Sequence, residues 1–169
     1  MKLYIFFWSA GWREGMKACL SQWYVSPFIA ENITFPTCEH WMMYKKAMLF
    51  GDHVIAQRVL NTESPADVKK LGRLVKGFDE AKWCQHRFEI VVTGNYYKFS
   101  QNSLIGTWLI STTEHLVEAS PYDKIWGIGM APDDCNIQDE TKWKGLNLLG
   151  EALMVVRQRL IEENNYVSK

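Results

Sequence analysis

The sequence predicts a helix-rich α+β fold: one compact domain over residues 1–169, with a few short strands and a long C-terminal amphipathic helix. Three observations carry this. After Gly145, Leu149, Leu153, Val156 and Leu160 recur at helical spacing while Glu151, Arg157, Arg159, Glu162 and Glu163 fill much of the rest, the pattern of a helix packed on one face. Pro36-Thr37 opens an apolar run of helical length that Gly51 closes, with Thr37 suited to cap it. The candidate strands are short and scattered. A chain of 169 residues fits one domain, and at this size folding buries about 70% of the surface.

In chain order, residues 2–8 read as a strand and 11–15 as a turn. Ser26-Pro27-Phe28 and Ile33-Thr34-Phe35 bracket another extended piece. The helix from Thr37 runs to about Phe50, and shorter ones are expected over 52–60 and 65–75. Asp79 opens a longer helix through residue 98, with Gly94 its weak point. Residues 102–110 read as helical, and 115–118 and 125–130 as extended, joined by a Ser120-Pro121-Tyr122-Asp123 turn. Residues 131–141 form a polar loop.

Lys plus Arg equals Asp plus Glu, 19 each, so no global field steers the chain to nucleic acid or an anionic membrane. Cys19, Cys38, Cys84 and Cys135 lack paired short spacing and suit reduced thiols. Cys84 and His86 alone do not make a zinc motif, so no metal is expected. The apolar start is too short to span a bilayer and lacks a signal-peptide cleavage pattern; a cytoplasmic location with no membrane partner is expected. The 8 Trp, 7 Tyr and 8 Phe serve packing first, yet flat rings also stack nucleobases.

Three clusters can carry chemistry. In Thr37-Cys38-Glu39-His40-Trp41-Met42-Met43-Tyr44-Lys45-Lys46-Ala47-Met48-Leu49-Phe50, Glu39, Met43, Lys46 and Phe50 share one helical face and Trp41, Tyr44 and Met48 the opposite one. Charges on a helix apolar all round must be paired or employed. Lys46 lies about 10 Å along the axis from Glu39 and leans back toward it. A first-turn acid beside a snorkelling surface lysine would share this spacing. The second cluster, Ser120 to Gly129, supplies Asp123, Trp126 and Gly127 but lacks dinucleotide-fingerprint glycine spacing; a turn holding a core Trp is the alternative. The third places Lys69, Arg73 and Lys76 on one helical face, for phosphate or simply for solvent.

Together these stretches resemble the NADAR family of YbiA-like N-glycosidases. The resemblance rests on Leu20-Ser21-Gln22-Trp23-Tyr24, Pro36-Thr37-Cys38-Glu39-His40-Trp41 through Lys46-Ala47, Leu71-Gly72-Arg73, Lys98-Phe99 with Gln101-Asn102, Leu116-Val117-Glu118 through Trp126-Gly127-Ile128-Gly129, and Gly145-Leu146-Asn147-Leu148-Leu149-Gly150 through Arg157. It implies hydrolysis, without a cofactor, of the N-glycosidic bond of a ribose phosphate. The small-molecule substrates it suggests are a ribosylamino-pyrimidine phosphate or an ADP-ribosyl group on guanine, including ADP-ribosylated DNA. A non-catalytic module binding ADP-ribose or NAD is the alternative. By the same resemblance Glu39, Lys46 and Asp123 are expected to be catalytic, and Ser21, Gln22, Arg73, Trp126, Gly127 and Asn147 to bind substrate, with Trp83 or Trp126 stacking the base. Gln22 departs from the family, which usually carries Asn after Leu-Ser.

Overall fold

The computed structural model describes residues 2–167. The backbone divides into two compact units: the described residues up to Ser21 with those from Ser103 onward, and Gln22–Asn102.

In the first unit, β1 (Tyr4–Phe7) pairs in parallel with β4 (His115–Glu118), setting Tyr4 opposite His115 and Phe7 opposite Glu118. A 3₁₀ segment (Trp12–Leu20) follows β1, broken at Gly15, whose φ of 62° only glycine adopts readily. It stands where the sequence suggested a turn over 11–15. The unit is completed by α5 (Ser103–Ser111) and α6 (Leu148–Val167). On α6, Leu149, Leu153, Val156 and Leu160 are all buried, as the spacing required.

Residues 125–130 form no strand. Ile128 N–H donates to Glu118 O at the end of β4, while Leu148 and Leu149 N–H donate to the carbonyls of Ile125 and Trp126. The backbone groups that a strand neighbour would use are taken by the end of β4 and the start of α6, so the segment folds as bends.

The second unit opens with the hairpin β2 (Phe28–Ala30) and β3 (Ile33–Phe35), turned by Glu31 and Asn32 at φ of 53° and 61°. Two left-handed residues match the twist of a tight hairpin. Four helices follow: α1 (Cys38–Leu49), α2 (His53–Leu60), α3 (Pro65–Gly72) and α4 (Glu80–Gln101). Thr37, Asp52, Ser64 and Asp79 each accept a first-turn amide through a side-chain oxygen, which satisfies one of the donors every helix start leaves open. Phe28, Phe35, Cys38 and Trp41 form the core beneath α4, and Trp41 Nε1 donates to Ile90 O at 2.8 Å.

α3 stops at Gly72, short of the expected residue 75. Lys76 therefore leaves the helical face it was expected to share with Lys69 and Arg73, and its backbone N–H donates to Asp52 Oδ2. Gly94, expected to weaken α4, is instead where α1 approaches it. A Cβ there would lie 2.3 Å from Trp41 Cδ1.

Gly94→Ala tests this packing. Helix propensity alone favours alanine by about 1 kcal/mol, while overpacking costs roughly 1–3 kcal/mol. Chemical denaturation is expected to show net destabilisation; a gain in stability would mean that Trp41 moves aside freely.

Candidate active site

The first half of α1 is buried, from Cys38 through Met43. Glu39, only 2% exposed, has its backbone N–H bonded to Gln22 O at 3.0 Å, and its Oε2 accepts from Trp23 Nε1 at 3.3 Å. The helix N-terminus also favours its negative charge. His40 beside it is structural. Its Nε2 donates to Thr62 O at 2.8 Å and its Nδ1 accepts from the Thr37 hydroxyl at 2.8 Å. A carbonyl can only accept, so this neutral tautomer satisfies both nitrogens.

The second half of α1 emerges. Lys46 is half-buried, with Nζ 4.2 Å from the centre of the Phe78 ring and 5.6 Å from that of buried Trp83. Burial lowers its pKa from the ordinary lysine value; Glu80 and Glu39 oppose that shift, and Arg73 adds to it. Desolvation thus outweighs the carboxylates. Glu39, Lys46, Arg73 and Trp83 are accordingly gathered in one unit, with Arg73 exposed as the C-cap of α3. Close approach of α3 to α1 helps: a Cβ on Gly72 would lie 1.9 Å from Met43 Sδ.

Ser21, Asp123, Trp126, Gly127 and Asn147 fall in the first unit. Asp123 Oδ1 accepts from the backbone N–H groups of Ile125 and Trp126, at 2.9 and 2.8 Å. Gly127 is required by crowding, since a Cβ would lie 2.7 Å from Glu118 O. Asn147, at φ 54°, receives Glu118 N–H on Oδ1 and donates from Nδ2 to Leu116 O. Its carboxamide thereby fastens the start of α6 to β4. Trp126 is partly buried and Ser21 buried.

Sequence reasoning missed four groups that matter in the second unit: Trp23 on Glu39, Phe78 on Lys46, and Asn95 and Lys98 on α4. The last two are fully buried on a stripe with Val91 and Phe99. Polar residues at those otherwise apolar spacings were the available signal. Trp23 and Phe78 act across the fold and left none.

The NADAR domain matches residues 6–161. The chain is 38% identical over 161 residues to a protein named N-glycosidase from Acanthamoeba polyphaga mimivirus, covering 92% of this chain and 95% of that one. It is 39% identical over 139 residues to Protein irg-1 of Caenorhabditis elegans, covering 80% of this chain and 66% of that protein. The solution NMR structure of the E. coli protein YbiA matches with a TM-score of 0.78 at 24% identity, over 97% and 89% of the two chains, a likeness of fold. Among the described residues no helix is long and apolar enough to cross a membrane.

Burial lowers the pKa of His40 below the ordinary 6.5, against the opposing effect of its bond to Thr62. Its contribution to stability is complete above the unfolded-state value and is lost as pH falls from there toward the folded-state value. Denaturation is expected to show lower stability at pH 5.5 than at pH 7.5. His40→Gln should narrow that difference; an unchanged difference would assign it to another group.

Proposed function

The chain belongs to the NADAR domain family, and from that premise we propose that it is an N-glycosidase acting at the anomeric carbon of a ribose phosphate. One observation carries the reading: a buried carboxylate, Glu39, and a desolvated lysine, Lys46, on one helix and within each other's field. The relative named N-glycosidase, matched along 95% of its length, supports the reaction class.

Cleavage builds positive charge on the anomeric carbon and negative charge on the departing base. Glu39, held by the Trp23 indole, stabilises the first. Burial lowers the Lys46 pKa, which favours the neutral amine, the form able to attack the anomeric carbon. As the new C–N bond forms, the bond to the base breaks and the base takes a proton from the attacking nitrogen. Opening of the sugar ring then moves its electron pair to oxygen, which takes a proton from water, and leaves a protonated Schiff base on Lys46. Water hydrolyses that adduct, which frees the amine and the ribose phosphate. Arg73 is suited to a phosphate oxygen, and Trp83, whose ring centre lies 5.6 Å from Lys46 Nζ, offers a face for the base.

The substrate is a ribosylamino-pyrimidine phosphate or an ADP-ribosyl group on guanine. Incubation of the protein with each, free and on DNA, followed by mass spectrometry for released base, tests the function. Release from one is expected. ADP-ribose left intact while raising the melting temperature would instead indicate a binding module.

Glu39→Gln is expected to lower turnover at least a hundredfold with little change in KM, because transition-state charge stabilisation is typically worth about 10²–10³. Single-turnover kinetics measure it, and a rate within tenfold of the parent removes Glu39 from the chemistry.

A further inference from the structure

Beside Glu39 lies a chain of three hydrogen-bonding side chains with one end left over. Asn95, fully buried on α4, donates from Nδ2 to Val91 O at 2.9 Å and to Gln22 Oε1 at 2.8 Å, and its Oδ1 lies 3.6 Å from Cys38 Sγ. Burial pushes the Cys38 pKa up to about 11, so the thiol keeps its proton and can donate to Oδ1. A carbonyl only accepts, so Val91 O fixes which end of Asn95 is nitrogen. That nitrogen in turn fixes Gln22, because reversing the Gln22 carboxamide would set donor against donor. Gln22 is 8% exposed, and among the described residues its Nε2 has no hydrogen-bond partner. A buried donor left unsatisfied costs about 1–3 kcal/mol, and folded proteins seldom keep one without a use.

We propose that the Gln22 carboxamide, locked by Asn95, presents Nε2–H as a donor to the ribose hydroxyl next to the anomeric carbon and so selects ribose over deoxyribose. The inference rests on the ribose-phosphate reading above. A hydroxyl gives one hydrogen bond and accepts others. Gln22 provides the donor for its oxygen, while the Glu39 carboxylate, whose own backbone N–H is bonded to Gln22 O, is of the right chemistry to take its proton. With Glu39 serving the anomeric carbon and Gln22 bonded to the Glu39 backbone, the hydroxyl assigned to this donor is the one on the neighbouring carbon. A site built to donate to that hydroxyl discriminates against a sugar lacking it, because the donor is then left buried and unpaired.

Calorimetric titration with ribose 5-phosphate and with 2-deoxyribose 5-phosphate tests this without requiring turnover. The parent protein is expected to prefer ribose 5-phosphate by about tenfold or more, 1.4 kcal/mol. Gln22→Met keeps the length of the side chain and removes the donor; Gln22→Glu keeps an acceptor for Asn95 and puts an acceptor where the donor was. In both the preference should fall below about threefold, chiefly through weaker binding of the ribose compound, so either variant that folds decides the matter. A preference retained in the variants, or absent from the parent protein, overturns the role of Gln22 and leaves the N-glycosidase reading standing. Failure of the parent protein to bind either sugar phosphate overturns the ribose-phosphate reading, and this inference with it.

Discussion

Burial of the first half of α1 is the constraint on which the candidate chemistry depends. Strand β3 leads into that helix, and α2, α3 and α4 pack around it. An ion taken out of water there costs several kcal/mol unless it is compensated, and several of the polar groups there carry partners. Thr37 and the Thr62 carbonyl satisfy His40, Asn95 meets Cys38, and the Trp23 indole meets Glu39. Beyond Met43 the helix emerges, and Lys46 comes to rest among aromatic rings rather than carboxylates. One helix thus presents an acid kept within hydrogen bonds and an amine moved toward neutrality.

The first unit uses polar residues differently. Between β4 and α6 the backbone is packed so closely that a Cβ on Gly145 would lie 2.3 Å from Gly127 O, and one on Gly150 2.1 Å from Leu116 O. Asn147 holds β4 through both ends of its carboxamide, and Asp123 closes a turn through one carboxylate oxygen. A network of this kind holds the Trp126 backbone at both its N–H and its carbonyl. Asn147 shows that a polar residue near a glycine-rich loop can have its carboxamide engaged at both ends by the backbone around it.

Features with local causes were legible in the sequence. Thr37 with Gly51 bounded α1, the turn of Glu31 and Asn32 lay inside the bracketed extended piece, and the leucine spacing on α6 pointed to its buried face. Features set across the fold were not. Residues 125–130 read as a strand, but their hydrogen-bond partners come from Glu118 and from residues 144–149. Gly94 read as a weakness because Trp41, which needs its space, is far away in sequence. The same holds for chemistry. Glu39 and Lys46 were visible as charges on an apolar helix. The Asn95 bond to Gln22 spans 73 positions, and only the folded chain reveals it.

The central claim is that desolvation of Lys46 makes it the nucleophile. Arginine keeps positive charge at that position but stays protonated and cannot form an imine. Borohydride added during turnover, followed by peptide mass spectrometry, distinguishes nucleophile from fixed charge. The account predicts a reduced sugar-phosphate adduct on Lys46 in the parent protein, none in Lys46→Arg, and a rate below about a tenth of the parent in that variant, a barrier increase of more than ~1.4 kcal/mol. An unmodified Lys46, together with a Lys46→Arg rate above a tenth, would contradict it and leave the lysine an electrostatic role alone.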